Sequence, residues 1–160
     1  MKKLFILAPW ALIVAAPAMA QVMPAADYVK TAGASDLYER QSAQIVLQTT
    51  TNPAIRSFAQ MMLTDHGKST LMIKAAALKA RVRPAAAMLT PTQAEMIAQL
   101  RAETGTARDA AYVAQQKAAH GQALAVQQAY AMDGKAMPLK TAAAKIVPVV
   151  QHHIMMLKTM

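Results

Sequence analysis

Four residues able to bind a transition-metal ion, Glu39, His66, His120 and His153, stand where the surrounding sequence repeats apolar residues at helical spacing. In "MMLTDHG", residues 61–67, His66 takes a place in a stripe otherwise made of Ile55, Phe58, Ala59, Met62, Ile73 and Ala76. His120 shares a face with Val113, Gln116 and Leu124, and His153 with Leu139, Ala142, Ile146, Val150 and Leu157. Glu39 lies on a stripe with Val29, Ala32, Asp36, Ala43 and Val46. Neutral imidazole and carboxylate are good ligands for iron, zinc, copper or manganese, and an unpaired carboxylate inside an apolar bundle is otherwise expensive.

The elements that must position these groups are all helical, because the chain is rich in alanine and poor in aromatic and clustered β-branched residues. The first helix spans about Ala25 to Gln48. Asn52-Pro53 then supplies an N-cap and a proline at the first helical position, starting a second helix that continues to about Ala80. "RVRPAAAMLTPTQ" breaks the pattern, and Thr90 with Gln93 has the spacing of a capping box for a short helix from Pro91 to about Glu103. Gly105-Thr106 opens a long helix to about Met132, and "DGKAMP" turns the chain into a last helix from Pro138 to about Lys158, which Pro148 should kink. Four long helices with a short one in the middle connection fit either an up-down bundle or a bundle with one long crossover.

Depth along the helices follows from a rise of about 1.5 Å per residue. Glu39 lies 12 residues before the turn at Thr51 and His66 15 after it, while His120 lies 15 before the turn at Lys135 and His153 18 after it. Each hairpin therefore brings its two polar residues to one level, within about one helical turn, and one ligand per long helix can converge. Asp109 shares the face of His120 but stands about 16 Å away along the axis, too far to bind the same ion. Leu63, Lys117 and Val150 precede the three histidines by three residues, so the doubled Glu-x-x-His pattern of di-iron bundles is absent. A mononuclear site of three histidines and one carboxylate matches better. Asp65, next to His66 in sequence, points elsewhere on the helix; it could orient a ligand or serve ordinary surface or cap chemistry. Met62 and Met156 invite a copper(I) reading, against which stands methionine's common use as core filler. The four inward groups can also bond to one another in a metal-free polar layer that fixes helix register, and spacing leaves both readings open.

Residues 1–20 read as an export signal followed by one domain over 21–160: Lys2 and Lys3 precede an apolar run from Leu4 to Ala16, and Ala18-Met19-Ala20 forms a small-x-small cleavage site. Removing them lowers the basic count from 17 to 15 against 8 acidic residues, a formal charge of +7. In a diderm bacterium the destination is the periplasm, with outer-membrane association open. The absence of cysteine excludes disulfides and thiolate metal sites. The basic surplus favours anionic envelope components over specific nucleic-acid recognition, although its charges are scattered. No Gly-rich phosphate loop or nucleophile elbow is present, and "GKST" lacks the first glycine of a phosphate-binding motif. No enzyme class follows.

The runs "YVKTAGASDLYE", "NPAIRSFAQMMLTDHGKS", "RDAAYVAQQKAAH" and "VPVVQHH" resemble a bacterial ferritin-like family known as domain of unknown function 4142. The resemblance covers nearly the whole chain after the signal. Its pattern falls on Tyr28, Glu39, Phe58, Met62, Asp65, His66, Asp109, Tyr112, His120, Pro148 and His153; Arg108 replaces a usual aromatic and Ser35-Asp36 a common Gly-Gly. It implies a ferritin-like four-helix bundle, usually exported, with no established activity. Two functions stand as expectations: an exported protein holding one metal ion through Glu39, His66, His120 and His153, with Asp65 orienting a ligand, and a metal-free envelope stress or interaction protein acting through its basic surface.

Overall fold

The computed structural model describes residues 22–84 and 86–160, so the expected export signal lies outside the described residues. Five helices follow in order: α1 (Ala25–Leu47), α2 (Pro53–Lys79), α3 (Pro91–Ala102), α4 (Gly105–Asp133) and α5 (Met137–Leu157), with no strand among the described residues. Their ends sit where the local chemistry puts them. The Asn52 side chain accepts from the amides of Ala54 and Ile55 at 2.9 and 3.3 Å, satisfying donors that the first turn of α2 leaves free. Thr90 and Gln93 form a reciprocal capping box at the start of α3. Gly105 begins α4 with φ of +54°, a left-handed conformation that a side chain would strain. α5 runs through Pro148 as one element.

Contacts between helices come chiefly from α1 with α2 and from α4 with α5, joined by α2 against α5 and α1 against α4. Side-chain bonds give the directions. Tyr28 reaches Gln127, Tyr38 reaches Gln115 and Thr50 reaches Asp109, so residue numbers rise along α1 as they fall along α4 and the two are antiparallel. Asp65 meets His153 while Met72 and Ile146 line the same cleft, which makes α2 and α5 antiparallel as well. The segment from Ala80 to Thr104, with α3 packed on α1 and α4, carries the chain between α2 and α4.

Two apolar clusters fill the interior. One, around the stacked rings of Tyr28 and Tyr130 with centroids 3.8 Å apart, gathers Ala32, Ile73, Ala77, Leu139, Ala143 and Val150. The other gathers Tyr38, Phe58, Met62, Leu100, Tyr112 and Leu157. Between them every long helix contributes buried polar side chains: Asp36 and Glu39 from α1, His66 from α2, Gln116 and His120 from α4, His153 from α5. The inner face of α4 differs from the expected stripe: Tyr112, Gln116, His120 and Gln127 are buried, whereas Val113 and Leu124 are only half-buried. Arg108 is also buried, and its guanidinium donates to the carbonyls of Glu103 and Ile45 and to Thr49 Oγ1. It thereby caps the C-terminal end of α1 with a cation.

Candidate metal centre

His66, His120 and His153 are 7%, 1% and 1% exposed, and one ring nitrogen from each lies within 4.8 Å of those of the other two. Three of the four residues that the sequence points to as ligands thus meet at one level. Which nitrogens face inward is decided by what each ring does with the other one.

His66 Nδ1–H donates to Asp36 Oδ1 at 2.9 Å, and Thr70 Oγ1 lies 3.1 Å from the second oxygen of the same carboxylate. His66 Nε2 is left buried with no partner. His120 Nδ1–H donates to the Gln116 carbonyl at 3.0 Å, which leaves Nε2 as its lone-pair nitrogen. His153 Nε2 faces Asp65 Oδ2 at 3.2 Å, and its Nδ1 lies 3.2 Å from His120 Nε2. Neither neutral tautomer of His153 satisfies both contacts: a hydrogen on Nε2 leaves two lone pairs facing each other between His120 and His153, and a hydrogen on Nδ1 leaves a lone pair against the Asp65 carboxylate. A cation resolves the conflict. A proton is poorly suited to the role, because burial pushes His120 down to about 3 and His153 down to about 4, with the neighbouring His66 adding to both shifts and Asp65 partly opposing the second. The separation suits a metal: two nitrogens bound at about 2.0–2.1 Å to one tetrahedral ion stand about 3.4 Å apart.

The carboxylates divide the work differently from the sequence expectation. Glu39 is fully buried, but its Oε1 lies 3.7 Å from His120 Nδ1, the nitrogen engaged with Gln116, and its Oε2 has no partner. It stands behind the ring and outside the three-histidine cluster. Burial raises its carboxyl to about 7, against the pull of the His66 charge. Asp65, partly exposed on α2, reaches across to α5 and bonds His153, the histidine of the neighbouring helix and not the His66 beside it in sequence. It also bonds Lys68 at 3.3 Å; burial works to raise its carboxyl, but the bonds to His153 and Lys68 outweigh that and hold it below the usual range. Asp36 was legible only as one more member of the α1 stripe. For His66, burial works against the proton, yet the bond to Asp36 and the charges of Glu39, Asp36 and Asp65 outweigh it and raise its pKa. Met62 is buried within the second apolar cluster and Met156 packs against it, as core filler does.

An all-helical protein with a buried three-histidine centre dividing its core is what fold and site together define. The chain belongs to the family described as Domain of unknown function (DUF4142), whose model matches residues 12–160. Among solved structures it is similar to a DUF305 protein of Streptomyces coelicolor assigned as secreted, with a TM-score of 0.65 over 84% of this chain and 88% of that one. At 13% identity that likeness concerns the fold alone. No curated protein matches the chain. None of the described helices is long and apolar enough to cross a membrane.

Proposed function

We propose that this is an exported, periplasmic protein whose four long helices form a ferritin-like bundle with one long crossover, and that it holds a single transition-metal ion through His66, His120 and His153. The antiparallel pairing of α1 with α4 supports the crossover topology, since it leaves α2 and α4 parallel and requires the connection to return along the bundle. The observation that carries the metal reading is the set of three inward ring nitrogens, two of them 3.2 Å apart, whose rear nitrogens face Asp36, the Gln116 carbonyl and Asp65. Such rear acceptors fix the tautomer and raise the basicity of histidine ligands. Three neutral imidazoles suit zinc or copper better than manganese, which prefers oxygen donors. As placed, Glu39 acts on the ion through the His120 ring and not by a direct bond.

The test is elemental analysis of protein purified from the periplasm. Near-stoichiometric metal in the wild type, lost from His66→Ala and His120→Ala variants that remain helical, is the expected result; equal trace metal in all three would sink the proposal. The alternative of a metal-free envelope protein rests on the net positive charge, and salt-sensitive binding of metal-free protein to anionic vesicles would support it.

A further inference from the structure

A cleft between α2 and α5 leads from the surface to the centre. It has a volume of about 120 Å³, and both His66 and His153 line it whereas His120 and Glu39 do not. His66 is more than nine-tenths buried and its Nε2 has no partner, so one wall of the cleft is a buried ring whose second nitrogen is unused within the protein. Apolar side chains of Met72, Ile146, Val149 and Val150 form much of its wall, and Ser69 and two exposed lysines, Lys68 and Lys145, line it as well. One carboxylate, Asp65, is also in the lining, but its oxygens are engaged by Lys68 at 3.3 Å and His153 at 3.2 Å.

Resting on the metal reading above, we propose that the bound ion keeps a coordination position facing this cleft, and that the position takes a small anion entering between α2 and α5. Three neutral imidazoles bring no negative charge into direct contact with a divalent ion, and Asp36 and Asp65 reach it only through the rings, so an anion suits the fourth position; three protein ligands plus one exchangeable position is the pattern of open sites. Lys68 and Lys145 add a positive field at the approach, which raises the local concentration of anions. A cavity of about 150 Å³ holds a molecule the size of benzene, and this cleft, at about 120 Å³, is somewhat smaller. That admits a linear or bent ion of a few atoms and excludes a nucleotide, a peptide or a sugar phosphate. Because four of the lining side chains are apolar, an entering ion sheds part of its water, which favours weakly hydrated monoanions over phosphate or sulfate.

Azide serves as the probe and cobalt(II) as the reporter ion. Full-length protein loaded with cobalt(II) is titrated with azide while visible absorption is followed, with cobalt content measured on the same samples. Saturable change of the cobalt bands is expected in the wild type. Val149 lies at the rim and is 38% exposed, so Val149→Trp narrows the mouth without disturbing the core; it should keep its cobalt and bind azide at least tenfold more weakly. Lys145→Glu should weaken azide by about twofold to tenfold, and less at high salt. Retained cobalt with no azide response, or an unchanged azide affinity in Val149→Trp, overturns the assignment of the cleft. Failure of the wild type to retain cobalt overturns the metal reading itself, and this inference with it.

Discussion

Toward the α2–α5 cleft, the carboxylates of the polar layer are fully engaged: Asp36 meets His66 and Thr70, and Asp65 meets His153 and Lys68. Toward α4, in the sealed half of the same layer, Glu39 Oε2, Gln116 Oε1 and Tyr112 Oη are buried without partners, although Gln116 does donate to Ser42 at 3.2 Å. Both halves set carboxylates beside histidine rings. The engaged half spends its acceptors on ring N–H groups and so fixes which lone pairs face inward. The sealed half leaves acceptors idle, and an unpaired buried polar group costs about 1–3 kcal/mol. One half orients, and the other is a site of stored electrostatic cost that protonation can relieve.

The largest way to break this contrast is acid. His120 binds its proton at about 3 when folded and at 6.5 when unfolded, so the unfolded chain holds more protons between those values. Its contribution is fully present above 6.5 and disappears as pH falls toward 3, amounting to about 5 kcal/mol at about 1.4 kcal/mol per unit. His153, lowered to about 4, acts in the same direction. Urea midpoints of metal-free protein should therefore fall steeply between pH 7 and 4, and a His120→Asn variant should lose much less over the same range. A flat wild-type profile would show that these rings are not buried neutral. Metal steepens the loss, since bound imidazoles must stay deprotonated.

Glu39 has the opposite sign. Its folded value of about 7 lies above the ordinary 4.5, so its favourable contribution is full below 4.5 and is lost as pH rises through 7. The swing is about 3 kcal/mol. Glu39→Gln keeps the shape and removes the titration, so metal-free variant should exceed wild type in stability at pH 8 by up to that amount and match it near pH 5. Parallel urea profiles for the two proteins from pH 5 to 8 would show that the sealed half carries no such cost.

The same two halves should separate in metal affinity. Asp36→Ala leaves His66 Nδ1–H without its acceptor and frees the ring to turn, which should weaken binding about 10- to 100-fold, as loss of such an outer partner does. Glu39→Gln, behind a ring already held by the Gln116 carbonyl, should weaken it by less than about threefold. Competition with a chromophoric chelator measures both. Comparable losses would mean that Glu39 turns inward and binds the ion directly, as the sequence reading has it.

How much of this was legible beforehand follows from what spacing encodes. Caps and prolines state where helices begin, so Asn52, Thr90 and Gly105 mark the starts of α2, α3 and α4 within about one residue. The 3.6-residue period states which way a side chain faces, so His66, His120 and His153 could be placed inside and at one depth. Period and rise do not state which of two neighbouring groups on a face meets which partner. Asp36 and Glu39 share a stripe three residues apart, yet one bonds His66 and the other lies behind His120, because azimuth and rotamer are settled only when α2 and α4 both pack on α1. Asp65 was placed correctly off the His66 face, but its use on α5 depends on an interhelical contact that no single helix contains. Arg108 shows the same limit: a departure from the family's aromatic was visible, and its cap on α1 was not.

The smallest expected effect is also the cleanest test of the sealed half. Tyr112 Oη has no partner, while its ring packs edge-on against Phe58 with centroids 6.3 Å apart. Tyr112→Phe removes the idle hydroxyl and keeps the packing, so stability should stay within about 0.5 kcal/mol of wild type or rise slightly. Tyr38, on the same side, provides the contrast: its hydroxyl donates to Gln115 Oε1 at 3.0 Å, so Tyr38→Phe strands a buried acceptor and should cost about 1–3 kcal/mol. If both substitutions prove equally damaging in urea denaturation, Tyr112 Oη is engaged after all, and the distinction between an engaged and an idle half does not hold at that position. If only Tyr38→Phe is damaging, the unpaired groups near Glu39 are a local cost the fold carries, and removing them one at a time should stabilise the metal-free protein without loosening the three rings.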